Sequence, residues 1–404
     1  MKSNGQMESH PGPATKTILF LDHTAKMGGG EVALLGLVRA LDRSRFTPIV
    51  ALASAGPLCE KLQAAGVETH VLLLDSSIVE ARKDNLGYKS LFRFRQASLC
   101  IAYAVRLARF ARRHGVHLIH TNSLKADVYG GLAGRLARIP VLWHVRDIIG
   151  DGYLPSSLAT LFRVLIKILP RQVIANSEST RRHLRPARAN SVPVVYSGVS
   201  DERLTDPVLS GSSGPQGQGS PQTIALVGRI ADWKGQHIFL RAAALVRDQF
   251  PQARFQIIGA PLFGENEYER SLHRTVCDLG LGDCVEFLGF REDVPVLLAG
   301  ADLVVHASTL GEPFGQVVIE GMAAGKAVIA TDGGALPEIV IPGVTGLLVP
   351  MGDAPAMAGA MAALLSDPAR AAAMGAAGRE RVRERFTIGH TVRKLEGIYE
   401  FLLK

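Results

Sequence analysis

Short apolar runs recur along the chain. Each is followed by a stretch whose apolar positions step by three and four. In the first half the runs are Thr17–Leu21, Pro48–Ala53, Thr69–Leu74, Leu118–Thr121, Val141–Val145, Gln172–Ser177 and Val192–Ser197. In the second half they are Thr223–Gly228, Arg254–Gly259, Val285–Gly289, Leu303–Ser308, Ala327–Thr331 and Gly346–Pro350. Continuous apolar runs of this length predict strands buried on both faces, hence parallel sheets covered by helices. Strand–helix alternation through both halves predicts an α/β fold of two doubly wound, Rossmann-like domains. A ligand shared by such a pair lies in the cleft, at the carboxyl ends of both sheets.

Two stretches interrupt the pattern. Residues 1–14 are polar and read as a disordered tail. Leu209–Gln222, LSGSSGPQGQGSPQ, offers nothing to bury and reads as a flexible linker. Domains are therefore expected at 15–205 and 223–387, joined through 206–222, with a final segment at 388–404. The 404 residues suit two domains of ordinary size. One long helix, Leu91–His114, carries a stripe of Leu91, Phe94, Ala97, Ile101, Val105 and Ala108, with Arg93, Arg95, Arg106 and Arg113 off it. It is either a core helix with a solvated basic face or a helix lying on a membrane surface. A second such candidate is Leu154–Leu169, which Arg163 and Lys167 interrupt.

Composition narrows the class. Hydrophobic residues make up 47% and charged residues 20%, the balance of a globular protein rather than a disordered or fibrous one. No run approaches the ~18 apolar residues of a membrane-spanning helix. The N-terminus lacks the apolar core of a secretion signal. Cys59, Cys100, Cys277 and Cys284 sit at unrelated spacings, which fits a reducing cytosol and excludes a disulfide framework. Charge is asymmetric: residues 1–200 hold 27 basic and 13 acidic side chains, or +14, and residues 201–404 hold 18 and 24, or −6. The first half is thus expected to meet something anionic, such as a membrane surface or a phosphorylated acceptor. It lacks aromatic–basic motifs, so no nucleic-acid partner is expected.

Four segments carry chemistry. After the first strand comes Gly28-Gly29-Gly30-Glu31, opening a helix. Glycines there permit close backbone approach and the helix start offers free N–H groups to an anion, though such turns are also merely structural. The run at 223–228 leads into Arg229 and Lys234, two cations at the sheet edge that suit a diphosphate. Glu312-Pro-Phe314-Gly315-Gln316-Val-Val-Ile-Glu320 spaces two carboxylates across a loop and a helix start. Glu320 lies among Val317, Val318, Ile319, Met322 and Ala323, so it needs a partner. Sugar hydroxyls would serve, and so would a structural ion pair. Gly333-Gly334-x3-Glu338 is a further glycine turn at the same sheet edge.

These segments together resemble the retaining family-4 glycosyltransferases of the GT-B fold. Beside them stand Asn176-Ser177, Tyr196-Ser-Gly-Val199, Val227-Gly-Arg-x4-Lys234-Gly and Glu286-Phe-Leu-Gly289, so the resemblance covers nearly the whole chain. Ser197 replaces the usual Asn, and Gly30 a larger residue. The resemblance implies roles. Arg229 and Lys234 bind the donor diphosphate, and Gly28 and Gly29 close on it from the other domain. Glu312 contacts the donor sugar. The backbone of Phe314, Gly315 and Gln316 faces sugar and phosphate, and Glu320 binds ribose. His144 is the active-site histidine reaching the cleft. The C-terminal helix crosses back to the N-terminal domain.

The implied enzyme moves a sugar from a nucleoside-diphosphate sugar to a glycan or lipid-linked acceptor. Its location is cytoplasmic or peripheral on the inner membrane face. The chain holds no Asp-x-Asp, so no metal or other cofactor is expected. The rivals are a non-catalytic nucleotide-sugar-binding partner and a phosphorylase or epimerase on the same fold.

Overall fold

The computed structural model describes residues 15–75, 90–150, 153–185, 191–206, 208–209, 221–262 and 264–404, with backbone alone for 90–96. The expected tail and most of the expected linker lie outside the described residues.

The first sheet comprises β1 (Lys16–Asp22), β2 (Phe46–Leu52), β3 (Glu68–Val71), β4 (Leu118–Thr121), β5 (Val141–Val145) and β6 (Gln172–Ala175), all parallel, in the order β3-β2-β1-β4-β5-β6. The second comprises β7 (Thr223–Val227), β8 (Arg254–Ile258), β9 (Val285–Gly289), β10 (Leu303–His306), β11 (Ala327–Thr331) and β12 (Gly346–Val349), in the order β12-β11-β10-β7-β8-β9. The two windings are the same. Strand order reverses between β1 and β4 in one sheet and between β7 and β10 in the other, the points where such sheets bind ligands.

Alternation explains the continuous apolar runs. In β1, Leu19 and Leu21 join one buried cluster while Ile18 and Phe20 join another on the opposite face. In β10, Leu303 and Val305 face one side and Val304 the other. Both faces of each sheet are covered, so both parities must be apolar.

The helix Ile388–Leu402 returns to the first domain. Ile388, Val392, Leu395 and Tyr399 complete the cluster that holds Ile18 and Phe20. Burying side chains of this size contributes about 1.5–3 kcal/mol each, enough to fix a segment far in sequence from the sheet it covers. Glu396 then accepts from Asp42 N at 3.0 Å and Arg45 Nη1 at 3.0 Å. The outgoing chain touches the return: Val199 N donates to Phe386 O at 2.9 Å and Ile388 N to Val199 O at 2.7 Å. A Cβ on Gly198 would lie 2.3 Å from the Thr387 carbonyl carbon, so only glycine fits there.

Two expectations need correction. Val192–Ser197 is not a strand; it makes one isolated pairing, Ala175 with Val194. Pro193 offers no N–H to a ladder, and the chain must leave the sheet here to cross. The long helix spans Ser90–Arg113. Its buried side chains are Tyr103, Ala104, Leu107, Ala108 and Ala111, while Ile101 is 56% exposed. The small residues on that face pack against the helix Leu124–Ala137, itself rich in Ala and Gly. Among the described residues no helix is long and apolar enough to cross a membrane.

Candidate active site

Both arms of the second switch point carry charged side chains. β7 ends at Val227, and the loop after it brings out Arg229 and then Lys234 on the short 3-10 turn Asp232–Lys234. β10 ends at His306, and Glu312 follows on its loop. Lys234 Nζ donates to Glu312 Oε1 at 3.0 Å and Oε2 at 2.9 Å. Ser308 Oγ donates to Glu312 Oε2 at 3.1 Å, and His306 Nε2 lies 3.2 Å from the same oxygen. Burial alone would raise the Glu312 carboxyl, but the Lys234 charge and the bonds from His306 and Lys234 outweigh it. Glu312 is therefore held well below the usual carboxylate range. Arg229 Nη1 lies 3.3 Å from Glu265 Oε1. The Trp233 ring sits beneath both cations, its centroid 4.3 Å from Lys234 Nζ and 5.7 Å from Arg229 Cζ.

The helix Gln316–Ala323 starts beside this group. Gly315 caps it at φ 110°, and a Cβ there would lie 2.4 Å from Leu336 Cδ2. Phe314 is buried between Tyr196 and Phe386 and anchors the turn, so only its backbone faces the cleft. Gln316 Nε2 lies 3.3 Å from Glu320 Oε1. Gln316 Oε1 is enclosed and meets no donor among the described residues. Glu320 is buried, and Arg203 Nη1 lies 3.1 Å from its Oε1. The ion pair open to Glu320 from sequence is thus present, with Arg203 as its partner.

The first domain faces this from β1. A Cβ on Gly29 would lie 3.9 Å from Gln316 Cβ, so the glycine turn and the second domain's helix start confront each other. Gly28 N donates to Glu31 Oε2 at 3.0 Å. Burial and the nearby Asp22 push the Glu31 carboxyl up to about 8. Asp22, His23 and Glu31 bring three possible ligand atoms within 4.8 Å of one another. Asp22 is already engaged, accepting from Asn122 Nδ2 at 2.6 Å and His23 N at 2.7 Å.

Hydrogen bonds at three places close the domains on each other. Glu338 accepts from Glu178 N at 2.8 Å, Ser179 N at 2.6 Å and Tyr196 OH at 3.0 Å. Ser177 Oγ donates to Pro313 O at 2.6 Å, one residue from Glu312. Lys26 Nζ donates to Leu262 O at 2.8 Å.

His144 is not at the cleft. Its side chain is fully buried, in contact with His120 and Arg146. Strand alternation sends Trp143 and Val145 to one face of β5 and His144 to the other, which the C-terminal helix covers. Arg146, just past the strand end, is the side chain that reaches outward. It donates to Asn122 Oδ1 at 2.7 Å and Ser197 Oγ at 2.8 Å. Its Nη2 lies 3.3 Å from His144 Nδ1. Arginine only donates, so His144 Nδ1 must accept. His120 Nε2, at 3.1 Å, then also donates to it, and His120 Nδ1 accepts from Tyr399 OH at 2.5 Å. Burial and the Arg146 charge push His120 down to about 3 and His144 well below its ordinary value, so both rings stay neutral.

Arg229, Lys234, Glu312, Gly315, Gln316, Gly28 and Gly29 thus meet at one place, and His144 lies behind it. His306, Ser308, Trp233, Glu265 and Asn122 join the site without a motif that marks them. Their one signal is position, at the strand end for His306 and Asn122 and on the loops that follow strands for Ser308, Trp233 and Glu265.

The family described as Glycosyl transferases group 1 matches residues 215–381, and Glycosyltransferase Family 4 matches residues 27–203. The chain is 34% identical over 318 residues to the D-inositol 3-phosphate glycosyltransferase of Corynebacterium jeikeium (strain K411), covering 71% of this chain and 74% of that protein. It is 29% identical over 296 residues to the lipopolysaccharide core biosynthesis mannosyltransferase LpsB of Rhizobium meliloti (strain 1021), covering 67% and 81%. The crystal structure of Anabaena HepE in complex with UDP-glucose superposes with a TM-score of 0.80 at 28% identity, over 95% of this chain and 99% of that one.

Proposed function

Because the chain belongs to the family-4, group 1 glycosyltransferases, we propose that it transfers a sugar from a nucleoside-diphosphate sugar to a glycan or lipid-linked acceptor, with retention and without a metal ion. The observation that carries this is the convergence of Arg229, Lys234 and Glu312 at one switch point, opposite the Gly28–Gly29 turn. Arg229 and Lys234 offer a diphosphate two cations already held in place by carboxylates and an aromatic ring. Such preorganised cations stabilise charge as it develops on a leaving diphosphate. Gln316 Oε1, enclosed without a donor among the described residues, suits a sugar hydroxyl. Glu312, held ionised, accepts hydroxyl hydrogen bonds rather than donating a proton.

In this reading the bond from the anomeric carbon to the diphosphate breaks as the bond to the acceptor oxygen forms on the same face, and the leaving phosphate oxygen takes the acceptor proton, so the chain supplies no nucleophile. A cytosolic setting is part of this reading. The test incubates the purified chain with nucleotide sugars and a glycan or lipid-linked acceptor, with and without EDTA, and reads the anomeric configuration by NMR. Donor binding without product would favour a non-catalytic binder. An obligate need for inorganic phosphate would favour a phosphorylase. An inverted product, or loss of turnover in EDTA that Mn2+ restores, would overturn the corresponding part.

A further inference from the structure

The edge of the first sheet carries a cluster of side chains that plays no part in donor chemistry. β3 is the edge strand, two strands out from β1 and its switch point. Glu68 and His70 lie two positions apart on it and share one face. The helix Ser90–Arg113 ends beside that face, and His114 follows its last residue. One possible ligand atom from each of Glu68, His70 and His114 lies within 4.8 Å of the others. Glu68 is exposed and both histidines are partly exposed, so an ion in solution reaches the group.

The two rings are held in place. His114 Nδ1 lies 2.9 Å from Phe110 O. A carbonyl only accepts, so in the neutral ring Nδ1 carries the proton and Nε2 keeps a bare lone pair. A histidine that donates one ring N–H to a carbonyl is oriented to bind a metal through the other nitrogen. Phe110 stacks on His114 with centroids 3.9 Å apart and meets His70 edge-on at 4.8 Å. The His70 and His114 centroids are 5.1 Å apart. His70 Nε2 lies 2.8 Å from Glu68 Oε1. Metal bonds of about 2.0–2.1 Å place neighbouring tetrahedral ligands roughly 3.3 Å apart, close to that separation. The Glu68 side chain is half-exposed and can turn toward a shared ion.

The donor set selects the ion. Two imidazoles and one carboxylate suit zinc and its neighbours, whereas Mg2+ and Ca2+ prefer oxygen alone. The C-terminal end of a helix carries partial negative charge, which favours a cation beside His114. Of the arginines in the last turn, Arg112 is turned away and donates to Leu136 O and Ala137 O. Arg113 is exposed, where salt screens its charge.

We propose that Glu68, His70 and His114 bind a divalent cation of the zinc class. The cation takes the place of the proton that His70 Nε2 gives to Glu68, and that proton moves to His70 Nδ1. The bare Nε2 of His114 is the third ligand. Water fills the fourth position, so the ion exchanges with solvent. It clips the edge strand to the end of the helix, adding to the bond that Arg106 makes to Leu73 O just after β3. The site stabilises the first domain and does not rest on the transferase reading.

The test is calorimetric titration of the full, untagged chain with ZnCl2 and, separately, with MgCl2. We expect Zn2+ to bind and Mg2+ to give no measurable signal. His70→Gln and His114→Gln should each weaken Zn2+ binding roughly tenfold or more, and Glu68→Gln should weaken it several-fold. His23→Gln alters the other group of three possible ligands among the described residues, Asp22, His23 and Glu31, and should leave the affinity unchanged. Zn2+ should raise the melting temperature of the wild type and not that of the histidine variants, because an ion that binds only the folded state stabilises it. Absence of Zn2+ binding, equal binding of Mg2+, or full affinity in both histidine variants overturns the proposal. Loss of binding in His23→Gln also overturns it and assigns the ion to the cleft. If the histidine variants fail to fold, Glu68→Gln decides, and unchanged Zn2+ affinity there overturns the proposal.

Discussion

Lys234 grips both carboxylate oxygens of Glu312, at 3.0 and 2.9 Å, so two residues assigned separately to diphosphate and sugar hold each other. The pair sets the reach of the cation and the ionisation of the carboxylate together. A diphosphate bound as proposed would compete with Glu312 for Lys234 and with Glu265 for Arg229.

Removing either cation should weaken donor binding. Charged hydrogen bonds contribute about 1.5–3 kcal/mol each, so Arg229→Ala and Lys234→Ala should each cost roughly tenfold or more in affinity for a nucleoside diphosphate. Isothermal titration calorimetry measures this. Unchanged affinity in both would remove the diphosphate role.

Lys234→Ala should also change stability with pH. The Glu312 carboxyl lies below its ordinary value when folded, so its contribution is present above that ordinary value and is lost as pH falls through the folded one. Without Lys234 much of it is gone at neutral pH. The gap in melting temperature between wild type and variant should be widest near pH 7 and shrink toward pH 3.

Glu31 behaves in the opposite sense. Its carboxyl, pushed up to about 8, keeps its proton in the fold at pH values where the unfolded chain has released it. The folded state then binds more protons than the unfolded one, so stability should fall as pH rises from about 4.5 to about 8. Glu31→Gln keeps the acceptor for Gly28 N and removes the titration. Its denaturant midpoint should vary less across that range than that of the wild type.

His144→Ala should act through structure rather than as the loss of a group facing substrate. It leaves His120 Nε2 and Arg146 Nη2 without an acceptor, and a buried unpaired donor costs about 1–3 kcal/mol. Tyr399→Phe should lower the melting temperature in the same direction, because His120 Nδ1 then loses its donor. If His144→Ala keeps the wild-type melting temperature yet loses turnover, the ring acts on substrate after all.

Glu338→Ala should loosen the contact between domains. The carboxylate accepts from two backbone N–H groups at the start of the helix Glu178–Leu184 and from Tyr196. Small-angle scattering should show a larger radius of gyration in the variant. No change would mean that Ser177 and Thr180 on Pro313 O suffice.

What the sequence determined by itself is what local pattern can carry. Twelve apolar runs became strands, because residues buried on both faces of a parallel sheet must be apolar at both parities. The places where the runs stop located Arg229, Lys234, Glu312 and the Gly28–Gly29 turn, because ligands bind at carboxyl strand ends. Tertiary structure alone decided what faces what. His144 and Arg146 are two positions apart, yet one is sealed in the strand against His120 and the other lies just past the strand end. The helix Ser90–Arg113 buries Ala104, Ala108 and Ala111 and exposes Ile101, because its inner face meets a small-residue neighbour that no local pattern names. Glu320 had two possible partners in sequence, and only the crossing of the chain brought Arg203 to it. Period and turn chemistry are properties of neighbours in sequence, whereas pairing across 100 residues or more depends on how two sheets and a returning helix come together.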